Sequence, residues 1–219
     1  MYGRKRIGAA AAAALGVAAL AVGATQQGAV AKEPAKAAVK GSPHHTGTPT
    51  FLEPGELPPY AYSPWYAGPV TAGLPEYGVF CAQDGVLPQR GTSHREFGTE
   101  MDTGALQVVV TTRSTDAAKR LAARLAASIR NCAATFERQI PGAWADWKDL
   151  GPVEAEDGAW TAAVATSVPE SENGIALFGV GRDGATVTLV RWSQMGGFAD
   201  APEAAFKQTT ATAVNKLYN

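Results

Sequence analysis

The sequence predicts an α+β domain of two layers, with an antiparallel sheet of about six strands and two helices on one face, in the order ββαββββα. Three observations carry this. Residues 114–139 repeat apolar side chains at helical spacing. Strand-like runs after residue 92 are punctuated by tight-turn signals, Asp102-Thr103-Gly104 and Arg182-Asp183-Gly184 among them. Strands joined by tight turns pair antiparallel, and an amphipathic helix needs another layer to cover its stripe.

Residues 1–31 read as a signal peptide. The basic cluster Arg4-Lys5-Arg6 precedes an alanine-rich apolar run, and small residues at Val22-x-Ala24 or Ala29-x-Ala31 suit cleavage after Ala24 or Ala31. This places the protein outside the cell; the alternative is a membrane anchor made by an uncleaved N-terminal segment. No later apolar run is long enough to span a bilayer, so no stable span remains once the leader is cleaved. Loss of the three basic residues takes the formal charge from −1 to −4. With no basic block left to neutralise phosphates, nucleic acid is excluded as a partner. Residues 32–50 are poor in large apolar side chains and read as a flexible linker, in which His44-His45 lack further metal ligands.

Residues 51–219 form the expected domain. It opens with a Pro- and aromatic-rich lead-in at 51–80. Disordered linkers are poor in aromatics, so the lead-in should be ordered, laying Leu57, Tyr60, Trp65, Tyr66 and Leu74 on the domain. Trp65 and Tyr66 are also candidates for an aromatic binding rim. Strands follow at 95–101 and 105–112. In the second, Leu106, Val108 and Val110 share one face.

The helix at 114–139 comes next, capped by Ser114 or Thr115 and stopped by Ile140-Pro141-Gly142. At roughly 24 residues it would be on the order of 36 Å long. Cys132 lies on its apolar stripe, so its partner sits in the layer beneath. Cys81 is the only other cysteine, and two cysteines in an exported chain point to one disulfide. Its reduction should loosen 51–80 first. Further strands fall at 144–153, 159–168, 175–181 and 185–194. A last helix, 200–218, has Asp200 as N-cap and Glu203 three residues on.

No phosphate loop, dinucleotide fingerprint, zincin motif or nucleophile elbow occurs, so the sequence assigns no catalytic residue, metal or cofactor. An unrecognised hydrolase would have to use His94 and the carboxylates Asp146, Asp149, Glu154, Glu156 and Asp157. Those carboxylates also read as a solvated face. The last hairpin leaves two readings open. Arg191, Trp192 and Gln194, with Trp65 and Tyr66, could bind a small molecule or glycan. Alternatively Trp192 is a core anchor, with Gly179 and Gly181 making room for its ring.

With Cys81, Cys132 and the strand pair 178–183 and 187–192 in place, the layout resembles the actinobacterial extracytoplasmic sensor-like domains of the PknH type. The Ala-rich composition also resembles secreted actinobacterial proteins of uncharacterised type. This chain has one cysteine pair where those domains tend to have two, and no kinase segment. The resemblance implies a non-enzymatic binding or sensing module outside the cell. Its partner would be an unknown small molecule, a glycan or an envelope protein.

Overall fold

The computed structural model describes residues 47–171 and 173–218. The expected leader, residues 32–46 of the linker and the His44-His45 pair lie outside the described residues. Two short strands, β1 (Tyr66–Ala67) and β2 (Thr71–Ala72), precede β3 (Thr92–Gly98) and β4 (Gly104–Thr111). Helices α1 (Thr115–Arg130) and α2 (Cys132–Gln139) follow. A meander of β5 (Trp144–Val153), β6 (Ala159–Ser167), β7 (Gly174–Asp183) and β8 (Thr186–Met195) leads to α3 (Glu203–Asn215). No helix among the described residues is long and apolar enough to cross a membrane.

The protein is α+β, with one antiparallel sheet in the order β1-β3-β4-β8-β7-β6-β5, and β2 also pairing with β3. The sheet has eight strands rather than about six, because β1 and β2 are two-residue stretches of the lead-in laid along the outer edge of β3. Runs so short carry no alternation that a sequence could reveal.

The expected long helix is interrupted once. Ser114 caps α1, its hydroxyl accepting from the Ala117 N–H at 3.2 Å. Asn131, at φ −89° and ψ 0°, ends α1, and Cys132 starts α2. The last helix starts later than Asp200. Pro202 disfavours helical geometry at Ala201, so α3 begins at Glu203. The Asp200 carboxylate accepts from the Gly197 N–H instead, at 2.8 Å.

Both faces of the sheet are covered, which changes the expected placement of the two helices on one face. Leu106, Val108, Phe178, Val180 and Leu189 pack under α1 through Leu121, Leu125 and Ile129. The alternate residues of the same strands, Leu177, Val190 and Trp192, pack on the other face with Phe206 and Ala213 of α3. Nearly unbroken apolar burial along β4 and β7 is what a strand covered on both sides requires.

Gly179 and Gly181 explain how α3 sits so low. A Cβ at Gly181 would come within 2.3 Å of Val214 Cγ2, and one at Gly179 would clash with Thr210. These glycines accommodate the last helix, not the ring of Trp192.

The lead-in is fixed to the α3 face at several points. Gln107, fully buried, accepts from the Leu52 N–H at 2.7 Å and donates to Thr188 Oγ1 at 3.1 Å. Arg95 donates to the carbonyls of Leu52 and Gly68 and pairs with Glu53 at 2.8 Å. The chain then passes along the β3 edge and emerges on the α1 face.

Candidate functional site

Residues 74–87 run across the α1 face as a strap. The Cys81–Cys132 disulfide, with Cα atoms 5.1 Å apart, joins it to the start of α2. Cys81 has φ 63°, a left-handed conformation uncommon for a non-glycine residue. Ser128 of α1 fastens the same turn, donating to the Cys81 carbonyl at 2.7 Å and accepting from the Gln83 N–H at 3.0 Å. Phe80 inserts between Phe136 and Phe178, each ring centroid 6.1 Å away.

Between strap and sheet lies a cavity of about 570 Å³. Leu74, Val79 and Leu87 form its apolar walls, and Glu96, Leu106 and Arg191 contribute from the sheet. A smaller cavity of about 160 Å³, beside Val164, Ala176 and Ser193, touches the other side of Arg191. Phe80 lines both.

Arg191 is the chemically distinctive group. Its Nε is shut off from solvent and has no hydrogen-bond partner among the described residues. Burial lowers its affinity for a proton, and Glu96 partly opposes this. Antiparallel register explains the proximity: Glu96 faces Leu106 and Leu106 faces Arg191, a row across β3, β4 and β8. Most buried polar groups are paired, so an unpartnered guanidinium nitrogen on a residue that lines a cavity is an unusual feature.

The structure does not bring the five residues singled out from the sequence into one site. Arg191 faces the cavity. Trp192, next in the strand, points to the opposite face and is 2% exposed within the core that contains Phe206. Trp65 joins that core, its Nε1 donating to the Pro58 carbonyl at 2.8 Å. Gln194 donates to the Asp200 carbonyl at 3.2 Å. Tyr66, 51% exposed at the sheet edge, donates to Glu100, which raises its hydroxyl pKa. Sequence reasoning missed Glu96 and the strap residues, since only strand register brings Glu96 beside Arg191.

His94 and the acidic run are separated. His94 Nδ1 bonds the Gly73 carbonyl at 2.9 Å on β3, whereas Asp146 and Asp149 lie on β5 at the other side of the sheet. Asp149 accepts from Trp160 Nε1 at 2.8 Å, and Asp157 pairs with Arg182 at 3.2 Å.

No protein family matches the sequence, and no curated protein matches it. Among solved structures, the chain is similar to the extracellular domain of PknH from Mycobacterium tuberculosis. The TM-score is 0.41 at 12% identity, covering 68% of this chain and 84% of that one. At that identity the likeness says nothing about a ligand.

Proposed function

We propose that the chain is an exported, non-enzymatic binding or sensor-like module whose small-molecule ligand occupies the cavity between the strap and the sheet. One observation carries the reading: Arg191, a largely buried cation whose Nε has no partner among the described residues, lines a cavity of about 570 Å³. That volume is in the range of small-molecule sites, typically apolar walls with a few placed polar groups. The disulfide fits an oxidising compartment, in keeping with export.

Thermal-shift screening of organic acids, amino acids, glycans and cell-wall fragments tests this reading. A ligand that raises the Tm of the wild type and not of Arg191→Met supports it. If every ligand found binds both proteins equally, the cavity is not the site.

A second reading, a partner in the cell envelope, draws on a separate apolar rim. Tyr62, Met101 and Met195 line a shallow depression there, and all three are more than half exposed. Pull-down from an envelope extract with wild type and the Tyr62→Ser/Met195→Ser variant tests it; identical recoveries remove this surface from consideration.

A further inference from the structure

Building on the proposed cavity site, we infer that its ligand is a zwitterion, an α-amino acid with a large apolar side chain, held by Arg191 at the carboxylate and Glu96 at the ammonium. The sheet places opposite charges on one wall of one cavity without letting them neutralise each other. Glu96 and Arg191 occupy the same cross-strand row with Leu106 between them. Glu96 is exposed at the cavity and Arg191 is partly buried, and neither side chain makes a hydrogen bond or ion pair within the described residues. Strand spacing of about 4.8 Å puts their Cα atoms roughly 10 Å apart, and side chains leave a sheet nearly perpendicular to it.

Charge-assisted contacts of about 2.8 Å at each end leave on the order of 4 Å between the ligand's own charges. Ammonium and carboxylate on one carbon fit that gap. An extended peptide, with its termini further apart, does not. A simple anion would satisfy Arg191 and leave Glu96 unused.

The remaining walls choose the rest of the molecule. Leu74, Val79 and Leu87 face the charged row and suit an apolar side chain. Asp84, on the strap, is the other carboxylate at the cavity. It lies across from the sheet wall, outside the row that holds Glu96 and Arg191. Arg191 lines the cavity, and a guanidinium is suited to a two-pronged contact with a carboxylate.

Titration calorimetry with L-leucine, L-phenylalanine and L-tryptophan, their N-acetyl derivatives and their amides tests the inference. At least one free amino acid should bind the wild type, with each capped form weaker by about tenfold or more, the worth of a charged hydrogen bond. Glu96→Gln should abolish the penalty for N-acetylation and Arg191→Met the penalty for amidation. Asp84→Asn should leave both penalties intact. Circular dichroism checks that each variant is folded. If the N-acetyl acids bind as tightly as the free ones, or Glu96→Gln leaves the discrimination unchanged, the zwitterion inference is overturned while an anion site at Arg191 stands. If none of the three amino acids binds the folded wild type, the inference is overturned too, and Arg191-dependent binding of any other ligand would still uphold the cavity.

Discussion

Gly179 and Thr210 meet where no methyl group fits: a Cβ on Gly179 would lie 2.3 Å from Thr210 Oγ1 and 2.7 Å from its Cγ2. The threonine cannot turn away freely, because its hydroxyl donates to the Phe206 carbonyl at 2.9 Å within α3. Gly179→Ala should therefore lift α3 from the sheet at a cost of about 1–3 kcal/mol, as overpacking of cores does. Gly181→Ala should cost a similar amount. Urea denaturation measures both. Ligand binding on the opposite face should be unchanged in Gly179→Ala, and a loss there would show that the two faces are coupled.

The strap and the earlier lead-in are held by different means. Residues 51–66 are fixed by Gln107, Arg95 and core side chains on the α3 face. Residues 74–87 depend on Cys81–Cys132 and on Ser128. Reduction should thus raise hydrogen exchange in 74–87 and leave 51–66 protected, which revises the expectation that 51–80 loosens as a block. The disulfide closes a loop 51 residues long, for which chain entropy gives roughly 4 kcal/mol. Equal exchange rates in both segments after reduction would contradict this division.

Gln107 is where the lead-in and the sheet share a polar contact inside the core. Gln107→Ala would leave the Leu52 N–H and Thr188 hydroxyl without these partners in a buried setting, at about 1–3 kcal/mol each in the worst case. A lowered urea midpoint with new exchange at Leu52 is the expected result. The nearby Glu53–Arg95 pair is exposed on the glutamate side and contributes much less. Its hydrogen bond from Arg95 lowers the Glu53 pKa from 4.5. The small stabilisation is therefore complete above that value and lost as pH falls through the lower, folded-state one.

Alternation and turn chemistry made the meander readable. The strand at 144–153 matches β5 end for end, and the face shared by Leu106, Val108 and Val110 is the one under α1. What escaped was whatever depends on distant pairing. The sheet's second covered face follows from Gly179 and Gly181 meeting Thr210 and Val214, residues about thirty positions away. The site was legible only as far as Arg191. Its neighbour Trp192 is obliged by the two-residue period to face the other way, and Glu96, the carboxylate proposed to act with Arg191, comes into the same row through β4 pairing with both β3 and β8.

Arg191 should lower stability in the unliganded protein. A guanidinium whose Nε is buried and unpaired has lost hydration without gaining a partner. Arg191→Met keeps much of the apolar stem and removes the charge, so it should raise the unfolding free energy, by on the order of 1 kcal/mol. The folded state holds the Arg191 proton less tightly than the unfolded chain does. Between the two pKa values stability would rise with pH; well below both, the group is charged in either state and the penalty has no pH slope. The difference between Arg191→Met and wild type should accordingly be constant from pH 6 to 8 in urea titrations. A saturating ligand that pairs with Arg191 should reverse its sign, because only the wild type gains the linkage stabilisation of binding. A variant less stable than wild type even without ligand would show that Arg191 already has the partner it needs.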